Sequence, residues 1–346
     1  MRNFDYVIGN PAYNREAQQT STSDDPIYNY FMDEAYKVSG KVMMITPARF
    51  LMNAGKTPAK WNKKMLEDEH LKVMFYEGNS QKVFPSALIP GGIAVTYRDE
   101  SQNYGAIGQF VYFEELTSID KKVSAFKEKS LNTIMYNQNK FNLPEVYKEF
   151  PELKSQIGSE GKDKRFRQIV LERFPQLFTE EMSSADSMRV LGLVNRKRAY
   201  RYIERRFVEE EKWIDCYKVF VPFSNGASGT LSTTAARLIS RPVIGNPNEG
   251  ITQTFIGVGN FNTFDEAKNC ETYILSKFAR ALLGILKVTQ GNKPETWAHV
   301  PLQDFTKNSD IDWNTSKTAI DKQLYRKYGL NQSEIAFVET HVEEMT

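Results

Sequence analysis

Phe4-Asp5-Tyr6-Val7-Ile8-Gly9-Asn10-Pro11-Ala12-Tyr13 decides how this chain is read. Phe4 to Ile8 has the aromatic and β-branched content of a strand. Asn10-Pro11 then breaks it, because Asn-Pro favours a turn. The break gathers three tools at one strand end. The Asn10 amide can hydrogen-bond an exocyclic amine. The carbonyl beside the rigid Pro11 offers a second acceptor. The Tyr13 ring can stack on a planar group. Such a set suits a base flipped out of a duplex, whose edge is read while its ring is sandwiched. The plainer reading is an ordinary loop, since four-residue motifs recur by chance.

The bulk numbers bound the rest. A chain of 346 residues holds two domains or one large one. Its 40% hydrophobic and 25% charged content is that of an ordinary globular protein. No apolar run has the length of a membrane span, and the N-terminus has no signal-peptide core, so a cytoplasmic protein without membrane association is expected. Cys216 and Cys270 read as free thiols rather than a disulfide framework. His70, His299 and His341 are scattered, and no Cys or His cluster has metal-ligand spacing, so no metal is expected.

Outward from the motif, strands alternate with helices. Helical spacing over 27–38 puts Tyr30, Phe31, Ala35 and Val38 on one side. Strands are expected at 41–46, 71–76 and 92–97, with a helix over 59–69. This pattern predicts a largely parallel α/β sheet over residues 1–115. Beyond residue 115 the pattern changes. Helices are expected at 120–129, 144–156, 184–211, 266–286, 316–328 and 333–344, the last with a Ser cap. Short β-rich runs fill 216–262. Between Gly161 and Arg206, twelve basic residues face six acidic ones, a net +6. Arg196, Lys197, Arg198, Arg201 and Arg205, interleaved with Tyr200 and Tyr202, form a candidate phosphate-contacting helix. A solvated helix face balanced by Glu209 to Glu211 is the alternative.

The order of elements after the motif resembles that of adenine-specific DNA methyltransferases of restriction-modification systems, type II and IIG-like, whose catalytic turn is Asn-Pro-Pro-Tyr. The matching segments are 27–38, Met43-Met44-Ile45-Thr46-Pro47-Ala48-Arg49-Phe50-Leu51, Val73 to Tyr76, Lys82-Val83-Phe84-Pro85 and Gly92 to Tyr97. The resemblance covers about the first hundred residues and is similar to the back half of such a catalytic domain. It implies a partial Rossmann-like methyltransferase sheet followed by an α+β target-recognition domain over 116–346. It implies that Asn10 and the Pro11 carbonyl accept from the target adenine amine, freeing its lone pair for attack on a methylsulfonium carbon. Tyr13 would stack on the flipped adenine, and Phe84 would contact another edge or face of it. Ala12 stands where the family has a second Pro, which costs rigidity but leaves the acceptor pair.

The family's cofactor is S-adenosylmethionine, held by a Gly-rich turn and an acidic residue on earlier strands. Neither element is legible here; Gly226 to Gly229 and Gly257 to Asn260 read as turns. The chain is therefore expected to be a C-terminal fragment, a truncated product or one half of a split enzyme, with double-stranded DNA and a separate N-terminal methyltransferase or nuclease portion as partners. Residues 273–344 resemble, more loosely, a target-recognition region. Loops 224–232 and 246–252 carry small polar side chains suited to phosphates and base edges. Glu152 with Glu160-Gly161-Lys162 mimics a nuclease Glu-x-Lys pattern but lacks flanking apolar strands. Two rivals stand beside a methyltransferase portion: a catalytically silent DNA-binding specificity module, and a scaffold protein in which 10–13 is only a turn.

Overall fold

In a computed structural model of the chain, residues 4–15, 25–224, 230–231, 235–287 and 291–345 are described, and the chain divides into two units, Met1–Thr117 and Ser118–Thr346. The first is organised on β4 (Lys41–Pro47), where Val42, Met44 and Thr46 are buried and the residues between them are not, the period of a strand with one covered face. β1 (Val7–Gly9) runs parallel along β4, with Val7 opposite Val42 and Gly9 opposite Met44. Residues 14–15 and 25–26 pair as β2 and β3. β5 (Leu71–Glu77) and β6 (Ile93–Asp99) complete a sheet of order β1-β4-β6-β5.

That sheet is mixed, not largely parallel as expected. β6 lies between β4 and β5 and is antiparallel to both. The reason is the connection. No crossover helix follows β5, only a 3₁₀ turn and the Ile89-Pro90-Gly91-Gly92 break, and a chain that turns back without a crossover pairs antiparallel.

Helices α1 (Tyr28–Val38) and α2 (Ala59–Leu66) cover one sheet face. Tyr28, Met32, Trp61 and Met65 pack with Val42, Met44, Leu71 and Ala94, and the rings of Tyr28, Phe50 and Trp61 meet at 5.2–6.2 Å. The buried stripe of α1 is Tyr28, Met32 and Ala35. Tyr30 and Phe31, expected inward, are 61% and 47% exposed. At 3.6 residues per turn, Tyr30 falls about half a turn and Phe31 about a sixth of a turn from Tyr28, so the first is on the far side of the stripe and the second on its edge.

In the second unit the expected helix over 184–211 is a hairpin. β8 (Ser187–Val194) pairs with β9 (Lys197–Glu204) through a two-residue turn, Asn195-Arg196, with φ of 50° and 61°. Two positive φ values match the type I′ turn that joins twisted strands, and Tyr200, Tyr202, Ile203, Val190 and Val194 favour strands. β12 (Glu249–Ile251) lies parallel to β8, and a separate antiparallel sheet runs β11 (Val243–Gly245), β10 (Tyr217–Pro222), β13 (Phe255–Phe261) and β7 (Met135–Tyr136). Phe141, Phe166 and Phe178 interlock at 4.5–6.0 Å inside a core that takes in Met188, Val190 and Ile203. Lys218 is fully buried; its ammonium donates to the carbonyls of Ile214, Cys216 and Asn246, and burial draws its pKa down to about 8.

The helices of this unit are shorter than their periodicity suggested. The run 144–156 stops at Glu149, before Pro151. The run 266–286 breaks at Ser276, whose extended backbone and Oγ cap a new helix, Lys277–Leu283, by accepting from the Ala279 amide. The helix Lys317–Lys327 is capped by Ser316, and the last, Gln332–His341, by Asn331 in a capping box with Glu334 instead of the expected serine. Asp321 accepts from the amides of Lys277 and Phe278 while nearly buried, and burial lifts its pKa to about 6.

Both the glycine turns and the buried carboxylate can be tested by stability. Gly92 and Gly105 have φ of +77° and +78°, but a Cβ on Gly92 would lie 2.2 Å from the Glu77 carbonyl oxygen and one on Gly105 meets nothing. Gly105→Ala should cost about 1–2 kcal/mol from the left-handed backbone alone, and Gly92→Ala distinctly more; equal urea midpoints would refute the close approach. For Asp321 the folded pKa lies above 3.8, so the stability it contributes is complete below pH 4 and is lost as pH rises through about 6. Asp321→Asn should flatten the melting temperature profile over that window.

Candidate functional site

β1 and β4 are parallel and end side by side, so the segments leaving them share one edge of the sheet. Ligands of α/β sheets sit outside such carboxyl ends. From β1 comes Asn10-Pro11-Ala12-Tyr13. From β4 comes Pro47 and the 3₁₀ turn Ala48–Met52. A cavity of about 250 Å³ opens here, lined by Tyr13, Tyr28, Pro47, Arg49, Ile89 and Pro90 among others.

The Tyr13 backbone carbonyl accepts from the Ile27 amide at 2.9 Å, which pins the motif to the start of α1. Its ring is half-buried. Its Oη is buried with no hydrogen-bond partner among the described residues, and burial raises the phenol's pKa. An orphaned hydroxyl at a cavity wall is a group with an unmet demand. Asn10 is exposed and Pro11 half-buried, and neither lines the cavity. Phe84 is half-buried, its amide donating to the Ser80 carbonyl at 2.8 Å. It too stands outside the lining. Residues 88–90 of the same segment reach the cavity instead, held because the buried Ser80 Oγ donates to the Ala87 carbonyl and accepts from the Ile89 amide.

Arg49 is the site residue that sequence reasoning passed over. Its stem runs past Gly55 and Gly91; a Cβ on Gly91 would come within 2.4 Å of its Cγ. Its guanidinium, half-buried at the cavity wall, makes no hydrogen bond or ion pair among the described residues. It favours the phenolate of Tyr28, yet burial dominates and lifts that phenol to about 12. A basic residue two places after a strand-ending Pro, with a Gly-Gly turn downstream, was the available signal.

The five nominated cations do not form one free patch. Arg201 is paired with Glu180 at 2.6 Å, and Arg205 with Glu210 and Asp215 at 2.7 and 2.8 Å. Arg198 donates to the Arg241 carbonyl and lies over the Phe255 ring. Arg196 and Lys197, at the hairpin tip, are exposed and carry no ion pair among the described residues. In the loop 246–252, Asn248 donates to the Ser187 carbonyl and Glu249 pairs with Arg189, so its polar groups serve the fold. Most of loop 224–232 lies outside the described residues.

Of the two glycine runs, 226–229 lies outside the described residues. Gly257 to Asn260 is inside β13, where a Cβ on Gly257 would sit 1.9 Å from the Tyr136 ring and one on Gly259 2.1 Å from the Phe261 ring. Aromatic side chains of the protein itself fill that space. Glu152 is on a 3₁₀ turn and Glu160 in a left-handed conformation, with no strand between them. Among the described residues, no three of His, Cys, Asp and Glu group as a metal site, both cysteines are free, and no helix is long and apolar enough to cross a membrane.

Known proteins bear on this arrangement at one end of the chain. No curated protein sequence matches it. Among solved structures, the type IIG restriction endonuclease BpuSI is similar at a TM-score of 0.34 and 10% identity, over 88% of this chain and 45% of that one, so the chain spans less than half of that enzyme's length. Residues 1–84, which hold Asn10, Tyr13 and Arg49, match the family model described as Eco57I restriction-modification methylase.

Proposed function

We propose that the unit 1–117 is the target-base portion of a site-specific DNA methyltransferase of a restriction-modification system, adenine-specific, and that 118–346 carries DNA recognition. The observation that carries this is the Asn-Pro-x-Tyr turn at the carboxyl end of a strand parallel to its neighbour, with Tyr13 on the wall of a cavity, inside the segment that matches a restriction-modification methylase. In this reading a flipped adenine lies against the Tyr13 ring. The exposed Asn10 Oδ1 and the Pro11 carbonyl accept from its exocyclic amine, which aligns the nitrogen lone pair. Phe84 contributes from the facing segment.

A methylase implies S-adenosylmethionine as the methyl donor. The glycine runs weighed for it do not fit it among the described residues: Gly257 to Asn260 is packed with Tyr136 and Phe261. The donor therefore has no assigned place on this chain. The same observation favours a second reading, a DNA-binding specificity portion that is silent by itself and depends on a further methyltransferase portion for its cofactor.

Tyr13→Ala should weaken binding to a duplex carrying an unpaired adenine by roughly 1–3 kcal/mol, the worth of one base stack, while Tyr13→Phe keeps it; unchanged binding in Tyr13→Ala would remove the base pocket. Calorimetric titration of the folded chain with S-adenosylmethionine should give no heat. Micromolar binding would instead mean a cradle exists and would favour the first reading over the silent one.

A further inference from the structure

We propose that a hollow in the second unit, rimmed by Arg165, Arg167 and Arg173, grips a phosphodiester of bound DNA, a proposal that rests on the DNA-recognition reading above. The hollow encloses about 330 Å³. Its floor is apolar: Ile157, Val170 and Phe174 are each 3–5% exposed. Its rim is cationic, and the charge is not cancelled.

The balance is set by Asp163. This carboxylate is 8% exposed and accepts from Arg165 through Nε at 2.8 Å and Nη2 at 3.1 Å, and from the Arg167 Nε. The two guanidinium groups hold its pKa down to about 2, so it stays ionised. One anion thus orients two cations. Arg173 lies 5.5 Å over the Phe174 ring and has no carboxylate partner among the described residues. Three positive charges against one negative leave +2 at the mouth of a cavity.

Arginine presents five N–H donors in a fork suited to phosphate oxygens. Arg165 spends two on Asp163 and Arg167 one, so each keeps donors for a ligand while Asp163 fixes its orientation. A phosphodiester supplies the missing negative charge, and its deoxyribose meets the apolar floor. The hairpin arginines differ. Arg201 and Arg205 already have carboxylates at 2.6–2.8 Å, and a phosphate would have to displace them.

Binding of the full chain to duplex DNA, measured over a range of salt, tests this. Arg167→Ala with Arg173→Ala, which leaves the Asp163–Arg165 pair, should lower affinity tenfold or more at low salt, alike for all sequences. The slope of log affinity against log salt should become shallower by about one, roughly 0.9 for the one phosphate no longer neutralised. Arg167→Lys with Arg173→Lys should restore most of the slope, which separates missing charge from failed folding. Arg201→Ala with Arg205→Ala should change the slope less. If the wild-type chain binds DNA and the Ala pair leaves affinity and slope unchanged, the hollow is not a phosphate site and the recognition reading survives. If the wild-type chain binds no duplex, both fall.

Discussion

Three residues of parallel pairing, Val7–Gly9 against Val42–Met44, hold up the candidate site. Because the strands are parallel, both chains leave the sheet at one edge, so Tyr13 and Arg49 line one cavity although thirty-five residues lie between them. Gly9 belongs to this pairing: a Cβ there would sit 3.1 Å from the Met44 sulfur. An antiparallel β1 would have sent the motif to the far edge, away from Pro47. The third wall depends on the opposite arrangement. β6 returns antiparallel between β4 and β5, and the 78–92 connection, stapled through Ser80, brings Ile89 and Pro90 over the cavity.

Charge in the second unit is governed by where carboxylates fall, not by the number of basic residues. The sequence excess of +6 over 161–206 is divided by the fold. Around the hairpin, Glu180, Glu210 and Asp215 neutralise the arginines that sequence made conspicuous. Around the hollow, Asp163 serves two arginines and a third goes unpaired among the described residues. Surface ion pairs add little stability, so their larger effect here is to decide which cations face outward uncompensated.

How legible the molecule was depends on the range of the forces involved. Strand and turn at 4–13, the strand at 41–47 and the Gly-Gly break at 91–92 were readable because Val, Ile, Pro and Gly act locally. The hairpin 187–204 was not: its arginines and leucines suit a helix as its β-branched and aromatic residues suit strands, and cross-strand pairing through the Asn195-Arg196 turn decides between them. The inward face of α1 was misassigned because Tyr30 and Phe31 are apolar but nothing packs on them strongly enough to bury them. Ser276 breaks a continuous apolar run, an event set by the amides that Asp321 accepts from another helix. At the site, Asn10 to Tyr13 announced themselves as a motif. Arg49 did not, because its isolation from every described carboxylate is a property of three-dimensional neighbours.

Exchanging a helix for a hairpin also changes what the basic run can touch. On a helix, Lys197 and Arg201 are one turn apart and Arg198 stands beside them, so one stripe would collect all three. On β9, neighbours alternate between faces. Lys197 and Arg201 share the side of Val190 and Val194, while Arg198 shares the side of Tyr200 and Arg189. Val190 and Leu191, on opposite sides, are both buried, so a rigid partner lying flat meets only part of the run. Only something that straddles the Asn195-Arg196 tip, as a groove straddles a ridge, meets both halves at once.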